Sequence, residues 1–244
     1  MIDPDSPAGR GSAAAVLPGA RPNNGNGGLD RPRIVAAAVE LIDRDGLRAF
    51  TMRQLGRHLG VEAMALYHYL PGRDALLDAI VEAVVDELYG DPEVHLSATD
   101  WQRYLQRLAH GVRRIALAHP EVFPLVATRP PAAPWIRPPL RSLRWIESFL
   151  ATMQRCGFSD QAAVGAYRAF SSFLLGYLLL EVAAHGADIG PVDSPDPGPV
   201  RPEKLAGYPV LQRLSGVLAE DHSAAEFEEA LEALLDRLER TGKR

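Results

Sequence analysis

Residues 51–73, TMRQLGRHLGVEAMALYHYLPGR, hold two short helix-forming stretches on either side of one glycine, which constrains the fold more than any other segment of the 244-residue chain. Thr51 can cap a first helix and Gln54, three residues on, can reach back to it, a reciprocal cap that starts a helix over residues 52–58. Leu55, Leu59, Leu66 and Leu70 recur at helical spacing around Gly60, so each helix offers one apolar edge to the same core. Gly60 sits where the chain must bend, and glycine tolerates the backbone angles of a three- or four-residue turn without steric cost. The spacing predicts a second helix over residues 62–69 that turns Ala63, Met64, Tyr67 and His68 outward. A sharp two-helix unit of this kind is the shape that enters a DNA groove.

Charge agrees with that reading. The formal net charge is −5, which argues against a generally basic coat. Residues 49–73 nevertheless carry Arg53, Arg57 and Arg73 against Glu62, a net +2, leaving −7 for the remainder. A basic head on an acidic body suits a protein that meets phosphates with one end. The one cysteine, Cys156, excludes an internal disulfide and a Cys-rich metal site, and reads as a small buried apolar residue in a reducing compartment. The longest strongly apolar run, residues 173–180, stops at Glu181 and falls short of the roughly 18 residues a membrane span needs. The first residues show no secretory pattern, so the expected location is cytoplasmic.

Along the chain, residues 1–29 carry six Gly and four Pro and read as a disordered arm. A first helix starts at Asp30 with Pro32 in its first turn, buries Ile34, Ala38, Leu41 and Ile42, and ends at Gly46. A fourth helix over residues 74–89 joins this head to the body. Further helices are expected over residues 99–118, with a Thr99–Gln102 capping box, over 121–127, over 140–156, over 159–185 behind Ser159, over 209–219, and over 223–240 behind a Ser223–Glu226 box. Pro-rich connectors lie at residues 129–139 and 188–202. The helix over 159–185 is apolar around most of its circumference and should be buried on more than one side. No strand-like alternation appears. The fold expected is all-α, with an arm at residues 1–29, a helix-turn-helix domain at 30–75 and a ligand-binding and dimerisation domain at 76–244.

Motifs of catalysis and cofactor binding do not occur: there is no G-x-S-x-G, no phosphate-binding glycine loop and no H-E-x-x-H. His185 lies four residues beyond Glu181, a spacing that fits half of a metal site or a polar contact at a helix end. No cofactor and no enzymatic activity are expected.

The phrase TMRQLGRHLGVEAMALYHYLPGRDALLDA resembles the N-terminal signature of the TetR/AcrR transcriptional repressors: Thr-x-Arg-x-Leu, Leu-Gly-Val, Leu-Tyr, and a basic residue before Leu-Leu. The resemblance implies that Arg53 meets a base edge or a phosphate, that Thr51, Tyr67, Tyr69 and Arg73 hold phosphates, and that Ala63, Met64, Ala65 and His68 face the bases. Ala and Met suit thymine methyl groups, so the operator should differ from that of the tetracycline repressor, which carries more polar groups there. Packing of Tyr67 on the fourth helix is the alternative.

Trp101-Gln102-x-x-Leu and Ala127-Thr128-Arg129-Pro130 resemble the ligand-binding body of the tetracycline repressor subgroup over residues 30–241. That subgroup places a magnesium-binding His three residues before Thr-Arg-Pro; here the position is Leu125, which puts a tetracycline–magnesium effector in doubt. Thr128 and Arg129 stand in the expected moving turn between effector site and body. The expected effector pocket is lined by Trp101, Tyr104, Phe123, Leu125, Trp135, Tyr167, Phe170, Phe173 and Tyr177, and suits a sizeable apolar or aromatic ligand. The family further implies a cytoplasmic homodimer without membrane contact, paired through the helices over 159–185 and 223–240, on a palindromic double-stranded operator with its reading heads about 34–36 Å apart. A small-molecule effector would release it. A ligand-independent DNA binder and an all-helical enzyme are the two other classes.

Overall fold

The computed structural model describes residues 28–87, 99–130, 135–138, 142–190 and 207–242. These form ten helices among the described residues: α1 (Arg31–Asp45), α2 (Met52–Leu59), α3 (Ala63–Leu66), α4 (Arg73–Asp86), α5 (Trp101–Ala118), α6 (Phe123–Thr128), α7 (Leu143–Arg155), α8 (Asp160–Ala184), α9 (Pro209–Leu218) and α10 (Ser223–Gly242), with no strand among them. The expected arm, apart from residues 28 and 29, lies outside the described residues. So do residues 131–134 and 139 of the first Pro-rich connector, residues 191–202 of the second, and the fourth helix beyond residue 87.

Local chemistry sets the head. Asp30 accepts from the Arg33 amide at 2.8 Å, Pro32 occupies the first turn of α1, and Gly46 ends it at a φ of +79°. Helix α1 buries Ile34, Ala38, Leu41 and Ile42 and packs on α2 and α4, while α2 packs on α3. Leu55, Leu66, Leu76 and Ile80 close this small core. It is continuous with that of the body, because α4 also packs on α6.

The body is built around α8, which packs against α5, α6, α7 and α10. By length and composition α8 could span a bilayer, but these four neighbours cover its core face. It is less enclosed than its composition suggests: Val164, Arg168, Ser172, Gly176 and Leu180 form an exposed row at four-residue spacing. Helix α9 has no buried residue at all.

Two caps differ from expectation. Asp100, not Thr99, caps α5, its carboxylate accepting from the amides of Gln102 at 3.1 Å and Arg103 at 3.2 Å. An ionised acceptor next to the first helical residue reaches two free amides and outcompetes a hydroxyl one position further out. The Gln102 side chain is thereby freed, and its Nε2 donates to Glu239 Oε2 on α10 at 3.3 Å. Helix α10 begins at Ser223 itself, whose amide donates to Asp221 at 3.0 Å, so Asp221 fills the role expected of Ser223. Ser142 caps α7 by accepting from Trp145, so that helix starts three residues later than position 140.

Candidate DNA interface and effector region

The turn between α2 and α3 rests on two glycines. Gly60 adopts left-handed angles (φ +71°, ψ +28°), where a side chain would be strained. Gly56 was not singled out by the sequence pattern, yet a Cβ there would lie 2.8 Å from the Val61 carbonyl oxygen and 3.1 Å from the Ala63 nitrogen. Both glycines therefore set how closely α3 approaches α2. The capping box forms as the spacing predicts: Gln54 N donates to Thr51 Oγ1 at 3.2 Å, and Thr51 N donates to Gln54 Oε1 at 2.9 Å. Thr51 Oγ1 also donates to Gln54 Oε1 at 3.0 Å, so its hydroxyl is already engaged on both sides.

Helix α3 is shorter than the expected 62–69. It ends at Leu66, and residues 67–69 continue as a tighter turn in which the Tyr69 and Leu70 amides both donate to Leu66 O at 3.0 Å. Pro71 disfavours helical angles at Leu70, and three consecutive aromatic-ring residues have weak helix propensity, so the coil tightens before it stops. The outward set survives this change. Met64 is 72% exposed, Tyr67 42% and Tyr69 43%, with His68 exposed and Ala63 and Ala65 half-buried between them. Arg53 and Arg57 stand exposed on α2. The 42% exposure of Tyr67 also disfavours packing on α4 as its main contact. Arg73 is half-buried at the start of α4, its guanidinium donating to the Leu47 carbonyl at 3.3 Å, so a role on phosphate would compete with that bond.

The residues expected to line one pocket fall into separate groups. Tyr104, Tyr167 and Phe170 converge on Phe149 of α7, with ring centroids 5.7–6.3 Å apart. Trp101 packs edge-on against Phe158 at 5.2 Å. Phe173 and Tyr177 turn instead to Phe227 of α10, at 5.8 and 5.3 Å, beneath the Arg113 guanidinium. Arg113 holds the buried Glu181 carboxylate through two nitrogens, at 2.6 and 3.1 Å, so Glu181 belongs to an ion pair and not to a metal site with His185. Phe123 and Leu125 are buried in α6. Trp135 stands apart from these groups, 76% exposed, while Ile136 beside it is buried.

Phe149, Phe158 and Phe227 join these groups without having been placed there. Phe149 shares a face of α7 with Trp145 and Met153 at four-residue spacing, a signal the sequence did contain. Within this region Trp145 Nε1 is buried without a hydrogen-bond partner, and the buried Ser171 hydroxyl lies beside the Tyr167 hydroxyl. Burial pushes the Tyr167 hydroxyl up to about 12, so it stays a neutral donor, reaching the Pro138 carbonyl at 3.3 Å.

Thr128 and Arg129 make polar contacts of their own. The Thr128 hydroxyl donates to Pro124 O at 2.7 Å, and Arg129 reaches across to α4, meeting Asp78 at 2.5 Å and Asp74 at 3.1 Å. The end of α6 is thus bonded to the helix that carries the head.

A sequence profile described as "Bacterial regulatory proteins, tetR family" matches residues 34–80. Another, "Tetracyclin repressor-like, C-terminal domain", matches residues 95–241, more than half the chain. The chain belongs to the TetR family. An HTH-type transcriptional regulator of Saccharopolyspora erythraea is 33% identical over 153 residues, covering 63% of this TetR family member and 61% of that protein. The tetracycline repressor protein class A from transposon 1721 of Escherichia coli is 30% identical over 205 residues, 84% of this chain and 88% of that one. Among solved structures, a possible TetR family transcriptional regulator from Streptomyces coelicolor A3(2) superposes with a TM-score of 0.66 at 29% identity, covering 87% of this chain and 100% of that chain. The helical head and helical body described above are the architecture of the family.

Proposed function

We propose that this TetR family member is a homodimeric repressor that binds a palindromic operator through α2 and α3 and leaves it when a small, largely aromatic effector enters the body. One observation carries the DNA half. An apolar and aromatic face, Met64, Tyr67 and Tyr69, is held out to solvent by the Gly60 turn and flanked by the cations Arg53 and Arg57. Exposed aromatics beside arginines on a two-helix unit fit a groove better than they fit water. Ala63, Met64, Ala65 and His68 would meet the bases, with the alanines and methionine on thymine methyls. Thr51, Tyr67, Tyr69 and Arg73 would hold the backbone, Thr51 and Arg73 by exchanging an internal hydrogen bond for a phosphate.

The effector region is the cluster of Tyr104, Phe149, Tyr167 and Phe170, with Trp101, Phe123, Leu125, Phe173 and Tyr177 around it. The unpartnered Trp145 Nε1–H favours a ligand with a carbonyl or hydroxyl acceptor on an aromatic frame. Leu125 has no metal-ligating atom, so a magnesium chelate is not the effector proposed. Turnover of the ligand forms no part of the proposal.

A gel-shift titration on the DNA flanking its own gene tests the DNA half. Arg53→Ala should weaken binding about 10- to 100-fold, the ~1–3 kcal/mol typical of one lost arginine contact. Unchanged affinity would remove Arg53 from the interface.

A further inference from the structure

Where α1, the end of α4 and the end of α5 meet, three titratable side chains from different elements close on one another. His119, which ends α5, places Nδ1 2.6 Å from Asp43 Oδ2 on α1 and Nε2 4.0 Å from Glu87 Oε2 just beyond α4. The imidazole is 9% exposed and the two carboxylates 22% and 17%. Asp43 Oδ1, Glu87 Oε2 and His119 Nε2 are all buried without a hydrogen-bond partner, three such atoms in one cluster. Glu121 lies next to it, its carboxyl pushed up by burial and by the charges of Asp188 and Asp43. Asp188 is paired with Arg48, a second tie between body and head.

A neutral imidazole has one N–H. Given to Asp43, that proton leaves the lone pair of Nε2 facing the Glu87 carboxylate, a buried acceptor against a buried acceptor. Only the imidazolium presents an N–H toward each carboxylate, hydrogen-bonded to Asp43 and facing Glu87 across 4.0 Å. Asp43 belongs to the head, Glu87 to the helix that links head and body, and His119 to the body, so one proton joins all three. We propose that Asp43, His119 and Glu87 form a protonation-dependent latch that fixes the DNA-binding head against the body. With the proton in place the two carboxylates are drawn onto one ring. Without it the ring no longer attracts Glu87, the Asp43 and Glu87 charges stand uncompensated beside it, and the head is free to take other angles. The latch lies at the joint and works whatever effector the body accepts.

Deprotonation should occur above the ordinary histidine value of 6.5, because Asp43 and then Glu87 favour the charged ring more than burial opposes it. The test needs neither operator nor effector. In a Cys156→Ser background, dyes at Glu62→Cys on the head and Glu229→Cys on α10 would report the head-to-body distance by energy transfer, with labelled chain diluted into unlabelled chain. Between pH 5.5 and 10 the parent should show one step in transfer efficiency with its midpoint above 6.5. Glu87→Gln, which keeps the shape and removes the charge, should lose the step, as should His119→Gln. A step that persists unchanged in Glu87→Gln, or no step in the parent, overturns the latch. Circular dichroism separates loss of the step from loss of fold.

Discussion

Gly56 shows how much of a DNA-reading unit depends on an absent side chain. Its hypothetical Cβ would sit 2.8 Å from a backbone carbonyl that accepts no flexible adjustment, because the Val61 amide is itself bonded to Gly56 O at 2.9 Å. Gly56→Ala should therefore cost stability in spite of alanine's better helix propensity, by the ~1–3 kcal/mol of an overpacked core. Gly60→Ala, at a left-handed position with open space around it, should cost about 1–2 kcal/mol through backbone strain alone. Urea titration of the two variants checks the pair. An unchanged midpoint in Gly56→Ala would mean that α3 can slide on α2. Gly60 was legible in the sequence because it interrupts a leucine period, whereas Gly56 lies inside a helix and its constraint comes from a contact across the turn. His119 was illegible for the same reason: its partner Asp43 is 76 residues away.

At the scale of elements, Arg129 ties the end of α6 to α4, and the proposed effector response would run through that link. Arg129 is 17% exposed and bonded to Asp78 and Asp74, so the last turn of α6 cannot shift without pulling on α4. Arg129→Ala should lower thermal stability by about 1.5–3 kcal/mol, the range for hydrogen bonds to charged groups. It should also blunt the release of DNA by effector while leaving operator affinity without effector within a few-fold. Parallel gel shifts with and without ligand would show it, and full ligand response in Arg129→Ala would exclude this route. Helix positions were readable from apolar spacing and caps, since both are local. The length of α3 and the caps of α5 and α10 were not, because competing acceptors one residue apart are ranked by geometry. The exposure of Trp135 was not legible either, because aromatic character marks a core candidate and carries no information about which way a connector turns it.

Among the described residues of the whole molecule, two helices carry apolar side chains that nothing else described covers, and the homodimer proposed above would use such a surface. Val164, Gly176 and Leu180 lie on the exposed row of α8, and Val210, Leu211, Leu214, Val217 and Leu218 are 41–67% exposed on α9. Exposed apolar residues of this kind fit a surface that the proposed second copy would cover. The row on α8 also contains Ser172 and Gly176, whose small size lets a partner helix approach closely, and a Cβ at Gly176 would meet nothing within 4 Å of its own chain. Gly176→Arg therefore separates folding from association. Within one chain the arginine has open space and a better helix propensity than glycine, so the midpoint of local helix unfolding should not fall. Against a second α8 it places a long charged side chain where backbones must meet. Light scattering should read a dimer for the parent and a monomer for Gly176→Arg with unchanged helix content, and operator affinity should fall by orders of magnitude because two half-sites no longer act together. A dimer that survives Gly176→Arg would place the pairing surface elsewhere, with the uncovered face of α9 the next to examine.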